Sequence, residues 1–300
     1  MMNRLHPYRL ASSTAKRLPA PIVEGLKSWL AKRRDQALAE RIKSLVAVTD
    51  WQTPACAICD QNHFTHHLVC NGFKIVRCRN DGLMFVSPRP ASLEAFYDER
   101  YYTGRMPGVY ENYDQHAITQ SLSDWDERLK YLEDMLGKPG RLLDVGCATG
   151  EFLKLARSRS WEVSGLEFSE WAVSKARSAH SLSVMQGGLP DSRIPNSTYD
   201  VVTLWDCIEH LPEPREVLLD VRRILKPGGK LMLSTGVLPH EDPGMISKWY
   251  YPPWHLYYFS ENTIRRLLAD CGFTVVSYVE QDQDIPEYML MVVAACANNR

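Results

Sequence analysis

The sequence predicts an α/β fold with a mostly parallel sheet covered on both faces by helices. Three observations carry this. Short apolar strands alternate with amphipathic helices from about residue 117 onward, a buried strand at Leu142–Val145 runs through a glycine loop into a helix, and Lys226-Pro227-Gly228-Gly229 is a turn into a further strand. Such alternation buries the strands on both faces, because each crossover helix packs back onto the sheet.

Each element has a local reason. In 117–136, Leu122, Trp125, Leu129, Leu132 and Leu136 form one helical face that Gly137 ends. Arg141–Val145 reads as a strand, Glu151–Arg159 as a helix, and Glu162–Glu167 alternates as a second strand. Ser169 can cap a helix to about Ala179. Leu182–Gln186 and Tyr199–Trp205 are strands three and four. Pro214 suits the first turn of a helix whose inner face is Val217, Leu218, Val221 and Leu225. Lys230–Thr235 is strand five. Ser260 caps a helix with Ile264, Leu267, Leu268 and Cys271 inward, stopped by Gly272, and strands Phe273–Val279 and Tyr288–Ala295 follow.

Before these come two other blocks, giving a division into 1–50, 51–90 and 91–300. Residues 1–45 hold ten Lys or Arg against three Asp or Glu, while the whole chain carries a net charge of −1. This basic arm, with Pro19 and Pro21 ahead of a helical stretch near Val23–Leu45, reads first as a solvated helix, with contact to acidic lipid or nucleic acid as the alternative. No apolar signal-peptide core follows the first basic residues, and the longest uncharged apolar stretch, Tyr288–Ala297, is far shorter than the ~20 residues of a membrane-spanning helix. The eight cysteines are too scattered for a disulfide scaffold, which points to a reducing cytoplasm.

The chemistry centres on Asp144-Val145-Gly146-Cys147-Ala148-Thr149-Gly150, at the carboxyl end of the first core strand, where ligands of open α/β sheets bind. Its G-x-x-x-G spacing differs from the G-x-G-x-x-G cradle of a dinucleotide pyrophosphate. Glu167, 21 residues after Gly146 at the end of strand two, is placed to accept hydrogen bonds from both hydroxyls of a ribose. Together with Glu209-His210-Leu211-Pro212-Glu213-Pro214 after strand four and the turn at Lys226–Gly229, these motifs resemble the class I S-adenosylmethionine-dependent methyltransferases, particularly small-molecule members, over roughly residues 120–300.

The resemblance implies a Rossmann-like seven-stranded sheet of order 3-2-1-4-5-7-6 with strand seven antiparallel. It implies S-adenosylmethionine as cofactor, held by Asp144, Gly146, Cys147, Gly150, Glu167, Phe168, Gln186, Gly187 and Asp206. Two positions depart from the family pattern. Ala148 stands where Gly is frequent, a mild change if its φ is negative. Gly187-Gly188 stands where an acid often holds the adenine amino group, leaving that role to backbone groups or to Gln186.

Methyl transfer requires alignment of donor and acceptor, and a general base where the acceptor is a poorly acidic hydroxyl. Glu209, His210 and His255 are the catalytic candidates. His255 lies in the aromatic run Trp249–Phe259, read either as a substrate lid over the carboxyl edge of the sheet or as a packed loop in which His255 is merely hydrogen-bonded, and is the preferred base because imidazole titrates near neutral pH. Tyr251-Pro252-Pro253-Trp254 is similar to the motif of nucleic-acid amino-methyltransferases, but that motif belongs directly after strand four, so methylation of a flipped base is disfavoured.

Cys56-Ala57-Ile58-Cys59 and Cys78-Arg79-Asn80-Asp81 have zinc-knuckle spacing, with Asp81 in place of a fourth cysteine. The segment, with Gly82–Pro90, resembles the zinc ribbon ahead of some bacterial sugar and polysaccharide methyltransferases. Cys56, Cys59, Cys78 and Asp81 are the expected ligands, with Cys70, His63, His66 or His67 as substitutes. A ribbon without metal, held by its own core, is the alternative. The functional expectation is methylation of a small molecule such as a sugar hydroxyl, rather than of nucleic acid. A protein or RNA methyltransferase docking through the arm and ribbon is the second reading, and a non-catalytic cofactor-binding scaffold the third.

Overall fold

A computed structural model describes residue 40 and residues 50–106, 121–238, 250–281 and 288–296. The arm over 1–50, expected to be helical, lies almost wholly outside the described residues.

A small β-rich part comes first: β1 (Trp51–Gln52), β2 (Phe64–Cys70), β3 (Phe73–Cys78), β4 (Met84–Val86) and β5 (Arg89–Pro90). β2, β3 and β4 pair antiparallel, and Asn71-Gly72 joins the first two with positive φ at both residues, the requirement of a tight hairpin. A one-turn helix α1 (Glu99–Tyr102) then leads to α2 (Ser121–Leu136).

The large sheet is built from β6 (Arg141–Val145), β7 (Glu162–Glu167), β8 (Val184–Gln186), β9 (Tyr199–Trp205), β10 (Leu225–Val237), β12 (Phe273–Gln281) and β13 (Tyr288–Cys296). Its order is β12-β13-β10-β9-β6-β7-β8. The five strands from β10 to β8 run parallel, and β13 runs antiparallel between β10 and β12. The helices between strands are α3 (Glu151–Ser158), α4 (Glu170–His180), α5 (Pro214–Ile224) and α6 (Glu261–Asp270).

Strand alternation divides the core between the two faces. Leu142, Val201 and Met232 pack with Leu129 and Leu132 of α2 and Leu153 of α3. Leu143, Val202 and Leu233 pack on the other face with Leu218 of α5 and Leu267 of α6. Ser169 caps α4 by accepting from Ala172 N, and Ser260 with Thr263 forms a capping box on α6. Leu225, expected on the inner face of α5, instead opens β10, and Lys226–Gly229 forms a register shift inside that strand. Ile224 takes the buried place at the helix end.

The expected aromatic lid is corrected. Trp254, Leu256 and Phe259 are fully buried, and Tyr257–Tyr258 forms β11, which pairs with β4. The four-stranded sheet β11-β4-β3-β2 therefore takes one strand from beyond residue 250, and Ile75 and Phe85 belong to the same buried cluster as Leu143 and Leu204. Large aromatic side chains lose more by exposure than a loop gains by mobility, so this run becomes a fixed wall.

Candidate active site

The glycine loop leaves β6 with Gly146 at φ +77° and Gly150 at φ +87°. Both need glycine for space as well as for φ. A Cβ on Gly146 would sit 2.7 Å from Cys207 Sγ, and one on Gly150 would sit 2.5 Å from Leu182 Cδ1. Ala148 has φ +47°, not the negative value that would make it a mild departure. Its N–H donates to Glu167 Oε2 at 2.9 Å, a charge-assisted bond that offsets the left-handed backbone.

Glu167, 5% exposed, ends β7 as a hub. Its Oε1 accepts from Ser169 N at 2.8 Å and from the Tyr102 hydroxyl at 3.2 Å. Burial raises its pKa, and the Ser169 and Ala148 N–H groups oppose that rise. Asp144 is buried at the end of β6 and accepts from Thr203 Oγ1 at 2.7 Å. Burial pushes its carboxyl up to about 8, against the Thr203 bond and aided by the charge of Glu167. Cys147 is buried inside the loop, while Phe168 is 47% exposed beside Glu167. Gln186 ends β8, and Gly187 N donates to Glu167 O at 2.9 Å, so both stand at the same sheet edge.

Across the topological switch between β6 and β9, the chain after β9 carries Asp206, Glu209 and His210. Asp206 opens toward solvent yet is crowded by protein atoms; burial raises its pKa and the Arg128 charge opposes this. Its Oδ1 accepts from Ser234 Oγ at 2.8 Å. Glu209 is 3% exposed, with Oε2 accepting from Thr235 Oγ1 at 3.0 Å. Burial, then the Asp206 charge, pushes its carboxyl up to about 8. His210 Nδ1 meets the Tyr97 hydroxyl at 2.9 Å, and burial with the neighbouring His255 pulls the imidazole well below its usual range. His255 lies against His210, ring centroids 4.7 Å apart. The three expected catalytic residues are thus one group, with one ligand atom of each within 4.8 Å of the others.

Four carboxyl groups, Asp144, Glu167, Asp206 and Glu209, therefore crowd round the buried Cys207 at the carboxyl edge of the sheet. Burying carboxylates without cations is costly, and each is driven toward its neutral form. The arrangement favours a ligand that brings positive charge.

Sequence reasoning missed Tyr97, Tyr102, Thr203 and Arg128. Tyr102 covers Glu167 and stacks on Trp171 at 5.4 Å, and the Arg128 guanidinium lies 4.7 Å over the Trp205 ring. Tyr97-Asp98-Glu99-Arg100-Tyr101-Tyr102 is aromatic, but it carries no spacing that announces a site.

The four knuckle residues also converge. Asp81 Oδ2 accepts from Cys56 Sγ at 3.2 Å and from Cys78 Sγ at 3.3 Å, and Cys59 Sγ lies 3.5 Å from Cys78 Sγ. All four ligand atoms fall within 4.8 Å of one another. Of the substitutes, Cys70 and His67 instead meet Tyr250, through its carbonyl and its hydroxyl.

A family profile described as a methyltransferase domain matches residues 113–278, more than half of the chain. An O-methyltransferase from Pyrenophora dematioidea is 26% identical over 59% of this chain and 71% of its own length. A ubiquinone biosynthesis O-methyltransferase from Proteus mirabilis is 31% identical over 44% of this chain and 64% of its own. The match spans 60% and 62% of two further curated relatives, so the chain covers only part of their length. A solved methyltransferase from Aquifex aeolicus is 21% identical, covers 55% of this chain and 88% of its own, and has a TM-score of 0.45.

Proposed function

The chain belongs to the S-adenosylmethionine-dependent methyltransferase family, and from that premise we propose that it methylates a hydroxyl of a small molecule, a sugar or a related metabolite. The observation that carries the proposal is the acidic sheet edge round Cys207, which holds the glycine loop with Glu167 and the group Glu209, His210 and His255.

The residues fit the cofactor. Glu167 is assigned to the ribose hydroxyls, which would replace or join the Tyr102 hydroxyl on its carboxylate. Gly146, Cys147 and Gly150 let the loop backbone approach, and Asp144 and Asp206 offer negative charge to the ammonium and sulfonium end. Phe168, Gln186 and Gly187 would border the adenine. When bound, S-adenosylmethionine supplies a methyl group already activated on a positively charged sulfur.

Proton removal from the acceptor is assigned to Glu209, His210 and His255. The His210 imidazole, held neutral by burial, can take a proton without first losing one, whereas the Glu209 carboxyl must ionise before it can act as a base. Relatives named for oxygen methylation support oxygen as the acceptor atom. We further assign zinc to Cys56, Cys59, Cys78 and Asp81, a Cys₃Asp set. The 51–90 ribbon is read as a brace for the catalytic part over 91–300. The basic arm over 1–50 is read as its route to an acidic lipid surface. The cytoplasm is read as its home, because eight scattered cysteines do not make a disulfide scaffold.

The test is steady-state turnover on a panel of sugars, nucleotide sugars and catechols. His255→Ala should lower turnover roughly 10²–10⁴-fold with cofactor affinity little changed. Equal turnover in wild type and variant would remove His255 from the acceptor side.

A further inference from the structure

Glu209 is held in a way that methyl transfer alone does not demand. Its Oε1 is shielded from solvent and has no hydrogen-bond partner among the described residues, while Oε2 is bound by Thr235. The charged group that bears on it most is Asp206, which is also acidic. Buried carboxylate oxygens are nearly always partnered, and one that is not points to an absent ion or ligand.

Two imidazoles complete the setting. His210 and His255 meet edge to face at 89°. The Tyr97 hydroxyl engages Nδ1 of His210, and the Trp254 carbonyl also faces that ring. Gripping an imidazole by an outer hydroxyl or carbonyl is how a metal-ligating histidine is oriented.

We propose that Glu209, His210 and His255 bind one divalent transition-metal cation, and that this cation, rather than the His255 imidazole, activates the acceptor hydroxyl. The proposal rests on the reading of this cleft edge as the acceptor side. Two imidazoles and one carboxylate with open positions suit first-row divalent metals. Three donors about 2.2 Å from one ion lie ~3.8 Å apart when evenly spread around it, so ligand atoms within 4.8 Å of one another converge with an approach of about 1 Å or less. The cation would neutralise Glu209 and leave positions for two neighbouring acceptor oxygens, which selects a vicinal diol or a catechol. A coordinated hydroxyl loses its proton more readily: the O–H bond breaks, the electron pair stays on oxygen, and the proton passes to water.

The test is Mn²⁺ titration of the chelator-treated full chain, followed by electron paramagnetic resonance. Mn²⁺ is poorly matched to thiolates, so the Cys₃Asp ribbon stays silent, and Cys56→Ser should bind Mn²⁺ as wild type does. One ion per chain is expected in wild type. Binding should be at least about tenfold weaker, or 1.4 kcal/mol, in both Glu209→Gln and His255→Gln. S-adenosylhomocysteine binding checks that both variants are folded. Equal Mn²⁺ binding in wild type and both variants overturns the site. Methyl transfer that persists in excess chelator but falls in His255→Gln overturns the cation and leaves the methyltransferase reading intact. Bound Mn²⁺ with no transfer to any hydroxyl supports the site and overturns the hydroxyl reading.

Discussion

Gly146 and Gly137 make a matched pair. Both have φ +77°, but a Cβ on Gly137 meets nothing within 4 Å among the described residues, whereas one on Gly146 lies 2.7 Å from Cys207 Sγ and 3.3 Å from Cys207 Cβ. Alanine at either site incurs the left-handed penalty of roughly 1–2 kcal/mol, and both gain equally from a stiffer unfolded chain. Gly146→Ala also forces apart two buried elements, an overpacking cost of typically ~1–3 kcal/mol. The difference between the variants should therefore be about 1–3 kcal/mol, or roughly 2–12 °C in Tm for a domain of this size. Cys207→Ala in the Gly146→Ala background should recover much of it, a coupling of ~0.5–3 kcal/mol. Thermal unfolding measures the stabilities, and calorimetry with S-adenosylhomocysteine should show weakened binding in Gly146→Ala alone. Equal Tm losses, or intact affinity in Gly146→Ala, would refute the claim that β6 turns into its loop by close approach to the end of β9.

Three other outcomes follow from the same geometry. Glu167→Ala should weaken cofactor binding by about 1.5–3 kcal/mol, roughly 10- to 150-fold, and also lower Tm, because the buried donors Ala148 N, Ser169 N and the Tyr102 hydroxyl lose their acceptor. Asp144, raised from an ordinary 3.8 to about 8, binds a proton in the folded state that the unfolded chain releases. Its contribution to stability is fully present below the unfolded value and fades as pH rises through about 8. A cationic cofactor favours the ionised form, so binding should release protons between about pH 5 and 8. Calorimetry in buffers of different ionisation heat reads this, and Asp144→Asn should reduce it. Finally, chelator-free protein should carry one zinc that Cys56→Ser loses together with ribbon stability, and metal analysis finding none in the native chain would remove the zinc.

The parts legible in sequence are those fixed by short-range rules. Gly146, Gly150 and Glu167 were readable because a strand, a tight turn and a second strand end force fixed spacings, and Cys56, Cys59, Cys78 and Asp81 because knuckle spacing brings four ligands together. Helix caps at Ser169 and Ser260 were equally local. The rest depends on distant pairing. Tyr257–Tyr258 joins β4 across some 170 residues, which turns an expected lid into buried wall. Tyr102 on Glu167 and Tyr97 on His210 come from a segment with no motif, where only the fold decides which tyrosine points inward. Ala148 shows a limit of residue-type reasoning, since its positive φ is held by a hydrogen bond to Glu167.

The most direct test of the central claim is to supply S-adenosylmethionine carrying a ¹³C-labelled methyl group with a hydroxyl-bearing acceptor, and to locate the label by nuclear magnetic resonance. The account predicts a methyl ether on oxygen, formed by wild type and reduced at least tenfold in Glu167→Ala at subsaturating donor. Label on nitrogen or carbon, or bound donor with no transfer to any hydroxyl, would contradict it.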